Sequence, residues 1–128
     1  MHDNILFSEP VSEGKPQEMT ARINGKHPLF AEHFENNPIL PGAISLNFCI
    51  TAICQKINHA ESKKYVLAEI EKVNFTRPIK PYAVMQLEIS QIIKESGYLR
   101  VIFEVHDNRE EQLSAQLIKG SIKFEEII

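Results

Sequence analysis

Clustered basic charge is the first thing this sequence does without. Its 14 Lys and Arg are scattered through 128 residues against 17 Asp and Glu, giving a formal net charge of −3. Neutralising nucleic-acid phosphates takes a concentrated basic run or face, so no nucleic-acid partner is expected. Long apolar runs are missing too. No uninterrupted apolar stretch reaches the length of about 18 residues that a membrane span needs. Residues 1 to 30 carry acids and prolines where a secretory leader has a basic start and an apolar middle, so the expectation is a cytoplasmic protein. Cysteine is scarce, with only Cys49 and Cys54 present. On one helix the two fall on different faces, and with no histidine close by they make neither a zinc site nor a disulfide framework, so they read as core filler. There is no internal repeat, low-complexity tract or linker. A 43% hydrophobic composition fits one compact domain over residues 1–128, with one core.

What is present is concentrated between Ala31 and Asn47, which read A-E-H-F-E-N-N-P-I-L-P-G-A-I-S-L-N. Proline is tolerated in a first helical turn because its missing N–H has no intrahelical partner there, and glycine lets another group approach the backbone closely. A helix opening at Pro41 and Gly42 aims free N–H groups and the positive end of its dipole at whatever lies in front, which suits a carbonyl or a developing oxyanion. Gly42 is thus a candidate polarising donor, with close packing at a helix start as the other open reading. His33 lies upstream in the same stretch. Its ordinary pKa of about 6.5 fits it to exchange protons near neutral pH, with a structural loop histidine as the alternative. Together the two suggest proton abstraction beside a carbonyl.

Period-two alternation predicts a first strand over Gln17–Ile23, ended by the Asn24-Gly25 turn signal. Ile5, Leu6 and Phe7 form a short apolar cluster able to pack as an edge piece. Residues 26–40, with Pro28 and Pro38, read as a long and therefore functional loop. From Pro41 to about Ile57 apolar residues occupy nearly every face, predicting a helix buried on most sides. Asn58 to Lys64 is a polar exit. Alternating stretches Tyr65–Phe75, Val84–Lys94, Tyr98–His106 and Gln112–Phe124 follow. Turn signals at Ser96-Gly97 and Asp107-Asn108 join the last three as antiparallel neighbours. One long helix with a succession of long strands makes an α+β domain in which a sheet can curl around the helix.

The string H-F-E-N-N-P-I-L-P-G-A closely resembles the H-F-P-x-x-P-[IV]-x-P-G signature of the hot-dog-fold 3-hydroxyacyl-ACP dehydratases of the FabA and FabZ type. Its P-I-L-P-G wording is most similar to the branch serving aryl polyene and other type II polyketide pathways. A second match, V-N-F-T-R-P-I-K-P from Val73 to Pro81, is similar to that family's F-x-R-P-[VI]-x-P stretch, and the resemblance extends over residues 17 to 124. It implies a hot-dog fold, with a curled antiparallel sheet wrapped around one long central helix. It also implies dehydration of a β-hydroxyacyl group carried on the phosphopantetheine arm of acyl carrier protein, with no metal and no further cofactor. His33 then moves the proton and the Gly42 N–H meets the thioester carbonyl, while Phe30, Phe34, Leu40, Pro41 and Leu46 are candidates to line the substrate tunnel, or simply to fill the core. A homodimer or higher homo-oligomer is implied, since such proteins build their sites at a subunit interface. Arg77 and Lys80 are candidates for the phosphates of the carrier arm, or simply solvated bases.

Asn47 departs from the pattern. It stands on the helix where the family carries Glu or Asp to handle the departing hydroxyl, and an amide can hold that group without giving it a proton. Either His33 makes both proton transfers while Asn47 positions the hydroxyl, or the chain is a non-catalytic partner of a second hot-dog subunit. Asn47 as a buried packing residue is a third reading, and acyl thioester hydrolysis on the same fold is a further function class. Glu32 and Glu35, where the family often has glycine and proline, are possible replacements for the acid. Tyr82 and Ala83 also depart from the pattern.

Overall fold

The computed structural model describes residues 5–12, 17–33, 40–61, 63–109 and 115–127, with the backbone alone for 31–33 and 61. Along them run β1 (Glu18–Arg22), α1 (Pro28–His33), α2 (Gly42–Glu61), β2 (Lys64–Phe75), β3 (Val84–Glu95), β4 (Tyr98–Asp107) and β5 (Ala115–Ile127). The strands form one antiparallel sheet in the order β1-β3-β4-β5-β2. Alternation turns Met85, Leu87 and Ile89 of β3, Val101, Phe103 and Val105 of β4, and Ile118, Ile122 and Phe124 of β5 onto one buried face. Bulges in β2, between Leu67 and Glu69 and between Ile70 and Lys72, and in β3, between Ile89 and Gln91, add the local bend and twist that curl a sheet.

Against that face lies α2, burying Ser45, Cys49, Ala52, Ile53 and Ile57. This is the helix-in-sheet arrangement that the resemblance implies. Burial on most sides is corrected, however, because Ala43, Asn47, Thr51, Gln55 and His59 form an exposed stripe at every fourth position. Cys49 and Cys54 are free, and burial pushes the Cys49 thiol up to about 12, as suits a core residue.

Two boundaries differ from the sequence reading. The expected loop over 26–40 contains α1, because Pro28 begins a helix instead of breaking one. His27 caps it, its Nδ1 accepting the Leu29 N–H at 3.1 Å, and Phe30 is buried beneath. The long helix also passes Ile57 to Glu61, since polar residues without glycine or proline do not stop a helix. Within that last part Asn58 ties the helix to β2: its Oδ1 accepts the Tyr65 N–H at 2.6 Å and its Nδ2 donates to the Tyr65 carbonyl at 3.2 Å. The start expected for the last strand at Gln112 lies outside the described residues. Among the described residues no helix is long and apolar enough to cross a membrane.

Candidate functional site

Pro41 stands at the mouth of α2. Its carbonyl accepts the N–H of Ile44 at 3.1 Å and of Ser45 at 3.3 Å, so it occupies the cap position and leaves Gly42 as the first helical residue. Just before it, the Leu40 N–H donates to the Ile79 carbonyl at 2.6 Å, and both side chains are buried. From the end of β2, Phe75 lays its ring on Gly42, where a Cβ would meet ring carbons at 2.8, 3.0 and 3.1 Å.

These contacts join the two stretches that the sequence reading singled out. P-I-L-P-G supplies Leu40, Pro41 and Gly42, while F-T-R-P-I-K-P supplies Phe75 and Ile79. At their junction opens a hollow of about 530 Å³, lined by Leu40, Pro41, Gly42, Phe75, Arg77 and Ile79 among others. Close packing under the Phe75 ring accounts for a glycine at position 42. The unpaired N–H groups of a first helical turn are there whatever the residue, so packing and polarisation do not compete.

Arg77 and Pro78 also line a neighbouring hollow of about 320 Å³, together with Lys80, Asp107 and Arg109. Arg109 is the residue that sequence reading missed, because D-N-R after a strand signals only a turn. Asp107 holds its guanidinium, with Nη2 to Oδ2 at 2.6 Å and Nε to Oδ2 at 3.0 Å. Burial pushes the Asp107 carboxyl up. Hydrogen bonds from the Arg109 side chain and from the backbone N–H groups of Arg109 and Val84, with the Arg109 charge, outweigh it and hold the carboxyl below its usual range. The two hollows share Arg77 and Pro78 in their walls, so the apolar one at the helix mouth adjoins one lined by Arg77, Lys80 and the paired Asp107 and Arg109.

The remaining candidates are placed as follows. Leu46 packs against the core and does not line the hollow at the helix mouth. Asn47 is exposed on the outward stripe of α2, and its carbonyl accepts the Thr51 hydroxyl at 2.9 Å. Within this chain it is therefore not a buried packing residue. His33 is the last residue of α1, but its side chain lies outside the described residues, as do the side chain of Glu32 and the whole of Phe34 and Glu35.

A family model described as ApeI-like, the ApeI dehydratase, matches residues 9–117. This chain belongs to the ApeI-like family. It is 30% identical over 92 residues to the 3-hydroxyacyl-[acyl-carrier-protein] dehydratase FabZ of Pasteurella multocida, and the match covers 69% of this chain but only 60% of that relative. Among solved structures it is similar to the dehydratase heterocomplex ApeI:P from Xenorhabdus doucetiae, with 18% identity, a TM-score of 0.58, and 92% of this chain and 99% of that chain covered. It is also similar to the hexameric thioesterase y2039 from Yersinia pestis, with 11% identity, a TM-score of 0.65, and coverage of 77% and 80%. At such identities these structures speak for the hot-dog fold. A dehydratase and a thioesterase share it here, so the fold of this ApeI-like chain does not choose its chemistry.

Proposed function

We propose that this ApeI-like chain removes water from a β-hydroxyacyl thioester carried by acyl carrier protein, giving a trans-2-enoyl thioester in fatty acid, aryl polyene or polyketide synthesis in the cytoplasm. The observation that carries the reading is the meeting of the two motif stretches at the mouth of α2, where Phe75 and Ile79 close on Gly42 and Leu40. The α-proton of a thioester is only weakly acidic. A base must therefore act in concert with a donor facing the carbonyl oxygen as enolate charge builds there. In this reading the His33 imidazole takes the α-proton while the Gly42 N–H faces the thioester oxygen. The β-hydroxyl then leaves as water with the proton returned from His33, and the Asn47 amide holds that hydroxyl. No electrons change hands, so the elimination itself calls for no redox group or metal. The carrier arm enters along the rim, its phosphate near Arg77, Lys80 and Arg109 and its apolar length in the hollow beside Pro41.

A second copy of the chain belongs to the same reading. Asn47 is exposed and does not line the hollow at its own helix mouth. In this reading it serves a site from across an interface, and the apolar inner side of β2 gives a partner copy something to cover.

The amide at position 47 also favours a second reading, a non-catalytic subunit that completes another hot-dog protein. The test is the isolated protein given a β-hydroxyacyl carrier-protein substrate, with enoyl product and free acid both followed. Enoyl product that disappears in His33→Ala, with the fold intact, is the expected result. Asn47→Ala should lower turnover by about the 1–3 kcal/mol of a lost hydrogen bond, and Asn47→Glu should preserve or raise it by restoring an acid. Free acid instead would mean a thioesterase. No product until a second hot-dog subunit is added would mean a pseudo-enzyme.

A further inference from the structure

Ser45 is the one buried polar side chain among the described residues, and it is completely buried. Its hydroxyl donates to the Gly42 carbonyl at 2.8 Å, the same carbonyl that the helical ladder assigns to the Leu46 N–H. Stability alone does not call for this arrangement. Alanine would fit the same site with only the volume of one oxygen left empty, has the better helix propensity by roughly 0.5 kcal/mol, and buries no hydroxyl. A serine bonded back along its own helix tends to bend or slightly destabilise it. What the bond does accomplish is local. The peptide unit before Gly42 is held by its Pro41 carbonyl, which accepts two N–H groups, one of them Ser45's own. The peptide unit after Gly42 is held by the Ser45 hydroxyl. With the Phe75 ring against its Cα, Gly42 is fixed on three sides, and Ser45 contributes to two of the restraints.

We propose that Ser45 is a positioning residue, whose buried hydroxyl fixes the backbone of Gly42 so that its N–H is aimed before substrate arrives. This rests on the reading of Gly42 as the carbonyl donor. A donor set in advance costs no reorganisation as charge develops, and small misplacements of such groups are expensive. The claim concerns the transition state, so the loss belongs in kcat and not in KM.

The test uses Ser45→Ala and the near-isosteric, weaker donor Ser45→Cys in the full chain, with three readouts: steady-state dehydration, thermal melting, and the ¹⁵N-labelled amide of Gly42. With only five glycines in the chain, that amide falls in a sparse spectral region. The expected result for Ser45→Ala is a melting temperature unchanged or raised, kcat down about tenfold, KM within about twofold, and a shifted Gly42 amide with faster hydrogen exchange. Ser45→Cys should fall between alanine and wild type. Full kcat in Ser45→Ala, or a marked loss of melting temperature, would overturn the positioning role and leave the dehydratase reading standing. If wild type itself yields no enoyl product, the dehydratase reading fails instead. The Gly42 amide then still decides the matter, since an unmoved resonance in Ser45→Ala overturns the inference.

Discussion

The two edges of the sheet are finished differently. At the β1 edge the chain covers its own backbone. Ser8 N–H donates to the Arg22 carbonyl at 3.0 Å, Val11 and Thr20 exchange bonds at 3.0 and 2.9 Å, and Asn24 N–H donates to the Leu6 carbonyl at 2.8 Å. The lead is then pinned on α2 by the stacked rings of Phe7 and Phe48, 4.1 Å between centroids. The β2 edge is covered at its start, where the Asn58 side chain takes the backbone N–H and carbonyl of Tyr65, but beyond Tyr65 no described strand pairs with its outer side. Its 12-residue strand leaves Leu67 41%, Ile70 46% and Phe75 47% exposed, on the side that faces the helix. Bare strand edges invite pairing, and proteins blunt those they do not use. Here one edge is blunted and the other is left long and apolar, ending at Phe75, beside the helix mouth where the candidate site lies. On the reading proposed above, the lead serves stability and β2 serves the partner copy.

The sharpest way to break this contrast is a charge in the middle of the bare edge. Ile70 is exposed in the single chain, so Ile70→Lys should change the fold's own stability by no more than about 0.5 kcal/mol. An isologous interface, however, receives the lysine twice. Light scattering should report a shift from dimer to monomer at micromolar concentration, and dehydration should fall with it, because a site that takes Asn47 from the partner is then incomplete. A variant that stays dimeric with full turnover would remove β2 from the interface.

The covered edge should respond in the opposite way. Phe7→Ala removes the stack on Phe48 and part of the apolar contact of the lead, costing about 2 kcal/mol of stability. It should leave the oligomeric state unchanged. Chemical denaturation and light scattering on the same sample separate the two effects, and loss of the dimer without loss of stability would exchange the roles given to the two edges.

These assignments were legible in the sequence to unequal degrees. The strands announced themselves through alternation, since a half-buried sheet has no other way to sort its residues, and Ile5 to Phe7 did form an edge piece. Helix boundaries were harder. Pro28 reads as loop punctuation in the sequence because proline both opens helices and interrupts them, and only the His27 cap and the burial of Phe30 decide which. The site was half legible. The motif stretches stood out one by one, but the contacts of Phe75 with Gly42 and of Leu40 with Ile79 are long-range and leave no local pattern. Nor did the rim show Arg109, whose place depends on how Asp107 is held. In the sequence Ser45 is one more small residue on an apolar helix, because burial of a hydroxyl is a tertiary fact.

Tyr82 carries the finest distinction, at the turn feeding β3, the strand that pairs with β1. Its φ of 68° lies in the left-handed region, where a side chain costs roughly 1–2 kcal/mol and glycine costs little. The Ala83 N–H donates to the Lys80 carbonyl at 3.3 Å, so Pro81 and Tyr82 are the centre of a turn whose third position ordinarily takes glycine. In return the tyrosine ring, although the residue is 57% exposed, lies against Gly25 at the end of the β1 turn, leaving no room for a side chain there. Two variants separate strain from contact. Tyr82→Ala loses the ring and keeps the strain, while Tyr82→Gly loses the ring and the strain together but adds freedom to the unfolded chain. The glycine variant should therefore be the more stable of the two by about 1 kcal/mol, the reverse of the usual order, and close to wild type. Neither should alter assembly or turnover, because the contact belongs to the covered edge. If denaturation curves place alanine above glycine, the turn is not strained, and the ring contact alone explains why tyrosine stands there.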